Sequence, residues 1–161
     1  MQGKQDAALS TAGFGTEWFA LCVVLALHIV DEATTGFLAV YNPTVMILRQ
    51  RWGWFPMPLV GLREYLVSHI LICVLLFCLT PVAQRGMAGL RPWAWAFAVI
   101  MFLNGLGHTI GTVLGHTVAS VTFARPAPGF YSSPLLFGAS VWLMVRLRRT
   151  AQIDFNLPSG Y

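Results

Sequence analysis

Four apolar stretches, at about residues 16–40, 62–83, 93–120 and 130–145, take up most of this 161-residue chain. A helix needs roughly 20 predominantly apolar residues to cross the hydrocarbon core of a bilayer. Four such crossings with short connections leave no length for a separate soluble domain. A soluble protein devotes about a quarter of its residues to charge. Here 10% are charged and 57% hydrophobic, with a mean hydropathy of +0.67, so polar groups are too few to cover a surface facing water. In lipid each segment must satisfy its own backbone N–H and C=O groups, which selects helices. The expected fold is therefore all-α: an integral membrane four-helix bundle forming a single transmembrane domain over residues 1–161.

Punctuation divides the stretches. The first, Thr16 to Val40, closes at the turn signal Asn42-Pro43. The following segment, Tyr41 to Gly61, holds three prolines and the pair Trp52 and Trp54. It reads as an interfacial or re-entrant connection between helices 1 and 2, anchored by its aromatics. The second span, Leu62 to Ala83, stops at Pro81 and Arg85, and the third starts at Pro92-Trp93, where proline suits the first helical turn. The sequence ARPAPGF, Ala124 to Phe130, breaks the chain before a shorter fourth span and a polar tail. Arg85, Arg91, Arg146, Arg148, Arg149 and Lys4 lie on one side of this arrangement, against Arg49, Arg51, Arg63 and Arg125 on the other. The positive-inside rule then places both termini in the cytoplasm. The basic residues are scattered singly, which argues against nucleic-acid binding, since that draws its affinity from clustered charge. Cys22, Cys73 and Cys78 lie within apolar runs and read as small hydrophobes, with no disulfide framework. No cleavable targeting segment is expected.

The constraint on function comes from polar residues inside the spans. The first carries His28, Asp31 and Glu32, the second Glu64 and His69, the third Asn104, His108 and His116. At about 1.5 Å per residue from the cytoplasmic end, His28 lies about 18 Å deep, Glu32 about 24 Å, His69 about 21 Å, Asn104 about 17 Å and His108 about 22 Å. Three helices thus place polar groups in one layer, with Glu64 and His116 farther out. Helical residues advance about 100° each, so His28, Asp31 and Glu32 share one arc, and Asn104, His108 and Thr112 share a face. Gly107, Gly111 and Gly115 lie on or beside that second face, which makes the third span the expected central packing element. A charged side chain at mid-bilayer costs on the order of 2.5–3.5 kcal/mol by insertion scales unless paired, so two adjacent carboxylates are hard to explain as packing.

The string His28-Ile-Val-Asp31-Glu32 resembles the HxxEE motif of the HXXEE-domain family of small bacterial membrane proteins. The pair Asn104 and His108 and the Pro-Gly stretch from Arg125 to Gly129 are similar to that family's later motifs. The resemblance covers nearly the whole chain and implies the four-span layout, a bacterial cytoplasmic membrane and a site at these residues. Asp31 stands where the family's first Glu would be, one methylene shorter.

The residue set suits a single divalent metal ion, zinc or iron, held by His28, Glu32, His69 and His108. Asp31 or Asn104 would accept the second ring N–H of a ligating histidine, and Glu32, Asp31 and Asn104 are the expected catalytic groups. The absence of an ExxH pair disfavours a di-iron centre. A buried metal with an open position would act on a lipid or another apolar molecule arriving from the bilayer. Two alternatives stand beside it. One is a metal-free lipid isomerase using a Glu/His acid–base pair. The other is non-enzymatic: a proton-coupled transporter, or a subunit of a homo-oligomer or larger membrane complex.

Overall fold

A computed structural model describes residues 13–156, with side chains to Thr150. The polar N-terminal stretch before Gly13 and the tail beyond Asn156 lie outside the described residues. Apart from one antiparallel bridge between His116 and Thr122, the regular elements among the described residues are all helical. They are α1 (Gly15–Thr34), α2 (Phe37–Arg51), α3 (Leu62–Cys78), the short α4 (Thr80–Gln84), a 3-10 turn (Ala88–Leu90), α5 (Arg91–Leu114) and α6 (Ser133–Asn156).

Among the described residues two stretches, Leu62–Gln84 and Ala88–Leu114, are long and apolar enough to cross a membrane, and the bent pair α1 and α2 is a third if counted as one span. Four spans were expected. The fourth segment does form a helix, but α6 runs on through Arg146, Arg148 and Arg149 and is not among the membrane-length apolar helices. The outward faces match a lipid solvent: Leu71, Leu75, Ile100 and Val113 are each more than half exposed. Exposed large side chains of this kind are at no disadvantage where the surroundings are as apolar as the core.

The first helix is the hub and touches all the others. Its buried residues Trp18, Leu21, Cys22, Leu25, His28, Ile29 and Glu32 recur at three- and four-residue steps, the period that keeps one face of an α-helix inward. Trp18 ties three helices together, donating from Nε1 to Leu76 O at 2.9 Å and meeting the Phe97 ring edge-on at 5.2 Å. The third span was expected to hold this central place through Gly107, Gly111 and Gly115. Instead α5 packs mainly on α6, and the close approach is at Gly105, where a Cβ would lie 3.0 Å from Ser133 O. Nothing lies within 4 Å of a Cβ built on Gly107.

Three boundaries differ from expectation. The first stretch breaks at Thr35-Gly36 and not at Asn42-Pro43: Thr35 N–H closes on Asp31 O, Gly36 adopts φ 80°, and α2 leaves at 84° to α1. Glycine supplies that left-handed cap without a Cβ clash. Pro43 is tolerated within α2, and the connection begins only after Arg51. Its stacked Trp52 and Trp54 are exposed, and Asn42 pairs its side-chain amide with both backbone groups of Val60. The third stretch ends at Leu114, six residues early, because Gly115 takes φ 76° and caps the helix. The loop from 115 to 132 then folds back inward, so that Ala127, Pro128 and Gly129 are buried. Non-helical backbone at that depth needs partners within the protein. Ala127 N–H finds Thr112 Oγ1 at 2.9 Å, and Gly129 N–H finds Thr35 Oγ1 at 3.0 Å.

Candidate metal centre

Two of the three groups come from one turn of α1. His28 and Glu32 are four residues apart, so both project from the buried face, with His28 Nε2 3.5 Å from Glu32 Oε1. His108 of α5 arrives from the opposite side and places Nε2 3.0 Å from the same oxygen. The imidazoles meet edge-on with centroids 4.9 Å apart. One ligand atom from each of His28, Glu32 and His108 lies within 4.8 Å of the others, which makes this a group able to hold a metal ion. Zinc at about 2.1 Å from each ligand in a tetrahedron sets neighbouring ligand atoms about 3.4 Å apart, close to the two measured contacts.

The proton arrangement around His28 follows from its far side. Asp31 Oδ2 accepts from Ser132 N–H at 2.8 Å and from Ser132 Oγ at 2.7 Å. A hydroxyl has one proton, and a carboxylate at 2.7 Å claims it ahead of Gly129 O at 3.3 Å. Ser132 Oγ is therefore an acceptor towards His28 Nδ1, 2.7 Å away, and the ring carries its proton on Nδ1. The lone pair of Nε2 then faces the cluster. That nitrogen is buried and has no hydrogen-bond partner among the described residues. Leaving such an atom unsatisfied costs about 1–3 kcal/mol.

Glu32 is held from a third direction. Its Oε2 accepts a hydrogen bond from the Tyr65 hydroxyl, and Tyr65 is the one fully buried residue of α3. Gly129 closes the cluster, since a Cβ there would lie 2.9 Å from both Glu32 Cγ and His108 Cε1. Beside His108 opens a cavity of about 490 Å³ lined by Asn104, Gly107, Leu103 and Val118, with His116 and Thr117 at its far end. A smaller cavity of about 210 Å³ adjoins Glu32 and Tyr65, and Phe37 lines both.

The expected residues fall into distinct places. His28, Glu32 and His108 converge. His69 does not join them: its Nδ1 hydrogen-bonds Tyr65 O at 2.7 Å and its ring packs on Tyr65, so it touches the centre only through that tyrosine. Asp31 reaches His28 through Ser132, and Asn104 lines the cavity with no hydrogen bond to the cluster. Glu64 is exposed, and His116 bonds Thr117 O at the cavity's far end. Sequence reasoning missed Tyr65 and Ser132, and named Gly129 only as the end of the Pro-Gly stretch and not as a neighbour of Glu32 and His108. Tyr65 had a signal, standing one turn from His69, whereas Ser132 is about a hundred positions from His28 and Asp31 and had none.

What these features define is a helical chain with membrane-length apolar helices and a buried His/Glu/His group beside an apolar cavity. Comparison with known protein families, curated proteins and solved structures gives no match.

Proposed function

We propose that this chain is an integral membrane protein of the HXXEE kind. In this reading it is a metal-dependent enzyme that acts on a lipid or another apolar molecule entering from the bilayer. His28, Glu32 and His108 hold one divalent ion, zinc or iron. Two histidines and one carboxylate with a remaining open position form the donor set of catalytic zinc and of non-haem iron sites. Bound there, the ion would supply a Lewis acid or a reactive oxygen ligand next to the 490 Å³ cavity. Asp31 and Ser132 orient His28, Tyr65 orients Glu32, and Asn104 faces the substrate from the cavity wall.

The observation that carries this reading is the bare, buried Nε2 of His28, whose ring is already saturated on its other side. A metal-free Glu32/His108 acid–base pair is the second reading, favoured by their 3.0 Å contact. It leaves His28 Nε2 with no hydrogen bond and only a 3.5 Å contact to Glu32 Oε1, which ranks it lower. Elemental analysis of protein purified from metal-replete cells in mild detergent separates the two. About one zinc or iron per chain, lost in His28→Ala, Glu32→Ala and His108→Ala, is the expected result. Metal well below stoichiometry in the wild type would remove the first reading.

A further inference from the structure

The cavity beside His108 has a shape that speaks to the substrate. It follows one face of α5 from Leu103 to Leu114, and its polar lining lies at its two ends. Asn104 and His108 form the inner end, and His116, Thr117 and Ser120, in the loop just beyond the helix, form the outer rim. Between them the walls are aliphatic or aromatic: Val40, Ile110, Phe123 and Pro128.

Gly107 and Gly111 both line this channel, and Gly107 leaves open space in it. A glycine inside a helix costs about 0.5–1 kcal/mol relative to alanine, normally offset by close helix packing. At Gly107 nothing lies within 4 Å of a Cβ, and at Gly111 the nearest atom, on Phe123, is 3.5 Å away. At Gly107 the missing side chain leaves open space, at Gly111 it lets Phe123 and Ala127 pack at ordinary contact distance beside the cavity, and Gly105 serves the helix contact.

Length and volume select the occupant. From His108 to Leu114 α5 rises about 9 Å, and the polar rim lies beyond its end. At about 30 Å³ per heavy-atom-sized group, 490 Å³ holds roughly sixteen such groups, enough for one hydrocarbon chain and too few for two. α5 is long and apolar enough to cross a membrane and ends at Leu114; in the membrane reading the rim would therefore sit where the bilayer turns polar, with the His28–Glu32–His108 cluster below it.

We propose that the ligand is a single-chain amphiphile, with its polar head at the His116–Thr117–Ser120 rim and its chain laid along Gly111 and Gly107. The group presented to the cluster is then a position within the chain and not the head. This rests on the reading of His28, Glu32 and His108 as the reactive centre, but binding of the chain does not need the metal.

The test uses full-length protein in nanodiscs of diacyl phosphatidylcholine and a palmitic acid carrying a diazirine at mid-chain, with labelled peptides located by mass spectrometry. Labelling of the Leu103–Leu114 peptide is expected to be saturable and competed by unlabelled palmitate despite the excess of diacyl lipid. Gly107→Leu places its Cβ in open space and extends into the channel, and Val40→Phe narrows it from α2. Each is expected to lower labelling by about tenfold or more while the metal content stays at the wild-type level. His28→Ala is expected to lose metal and keep labelling. Unsaturable labelling, or labelling unchanged in both cavity variants, would mean that only surrounding bilayer lipid is being sampled and would overturn the proposal. A wild type without metal that still labels saturably would overturn the metal reading alone.

Discussion

Gly129 and Gly36 share a φ of 80° but differ in what surrounds them, and the difference isolates the packing of the candidate centre. A Cβ on Gly36 meets nothing within 4 Å, so Gly36→Ala should pay only the left-handed backbone penalty of about 1–2 kcal/mol. Gly129→Ala carries the same penalty and also drives a methyl group to 2.9 Å from Glu32 Cγ and His108 Cε1. Neither atom is the free end of a flexible chain. Each side chain must leave its rotamer, at about 0.5–1.5 kcal/mol apiece, which raises the expected loss to about 2–5 kcal/mol. Functional constellations tolerate displacements of only about 0.5 Å, so the variant should also lose metal even where it remains folded. Equilibrium unfolding in mixed dodecyl maltoside and SDS micelles, followed by circular dichroism, measures the first effect, and metal content measures the second. Equal destabilisation of the two variants would refute the placement of Gly129 against Glu32 and His108, whatever the metal result.

Ser132→Ala removes the hydroxyl between Asp31 and His28 and should weaken metal affinity by about 10–100-fold in a chelator competition, with the helical content unchanged. His69→Ala and His116→Ala should keep their metal by elemental analysis, since one is committed to Tyr65 O and the other to Thr117 O. Trp18→Ala should cost about 3–5 kcal/mol in the same micellar unfolding assay, because Trp18 is 1% exposed at the junction of α1, α3 and α5. Trp93→Ala, at a side chain 71% exposed, should change stability by no more than about 0.5 kcal/mol.

Whatever depends on neighbours along a helix was legible in the residues themselves. The all-helical class followed from apolar runs that can satisfy their backbone only internally. The joint projection of His28 and Glu32 followed from a four-residue step. The meeting of those two with His108 could be inferred from depth and face, because a helix converts sequence position into height at a constant rise. Folding of the chain across itself had no such ruler. Asn42-Pro43 read as the place to turn, but with Asn42 clasping Val60 the chain instead bends at Thr35-Gly36. The run Gly107, Gly111, Gly115 marks a smooth helix face, but whether a neighbour or empty space lies against it is decided by where α6 and the 115–132 loop come to rest. That loop also brings Ser132 to His28 and Gly129 to Glu32 across about a hundred residues. The pairing depends on the inward fold of ARPAPGF and on hydroxyls of Thr35 and Thr112 that satisfy its backbone. No local period encodes a contact of that kind, so the convergence of His28, Glu32 and His108 could be read in the sequence, while the exclusion of His69, the orienting shell and the cavity belong to the tertiary structure.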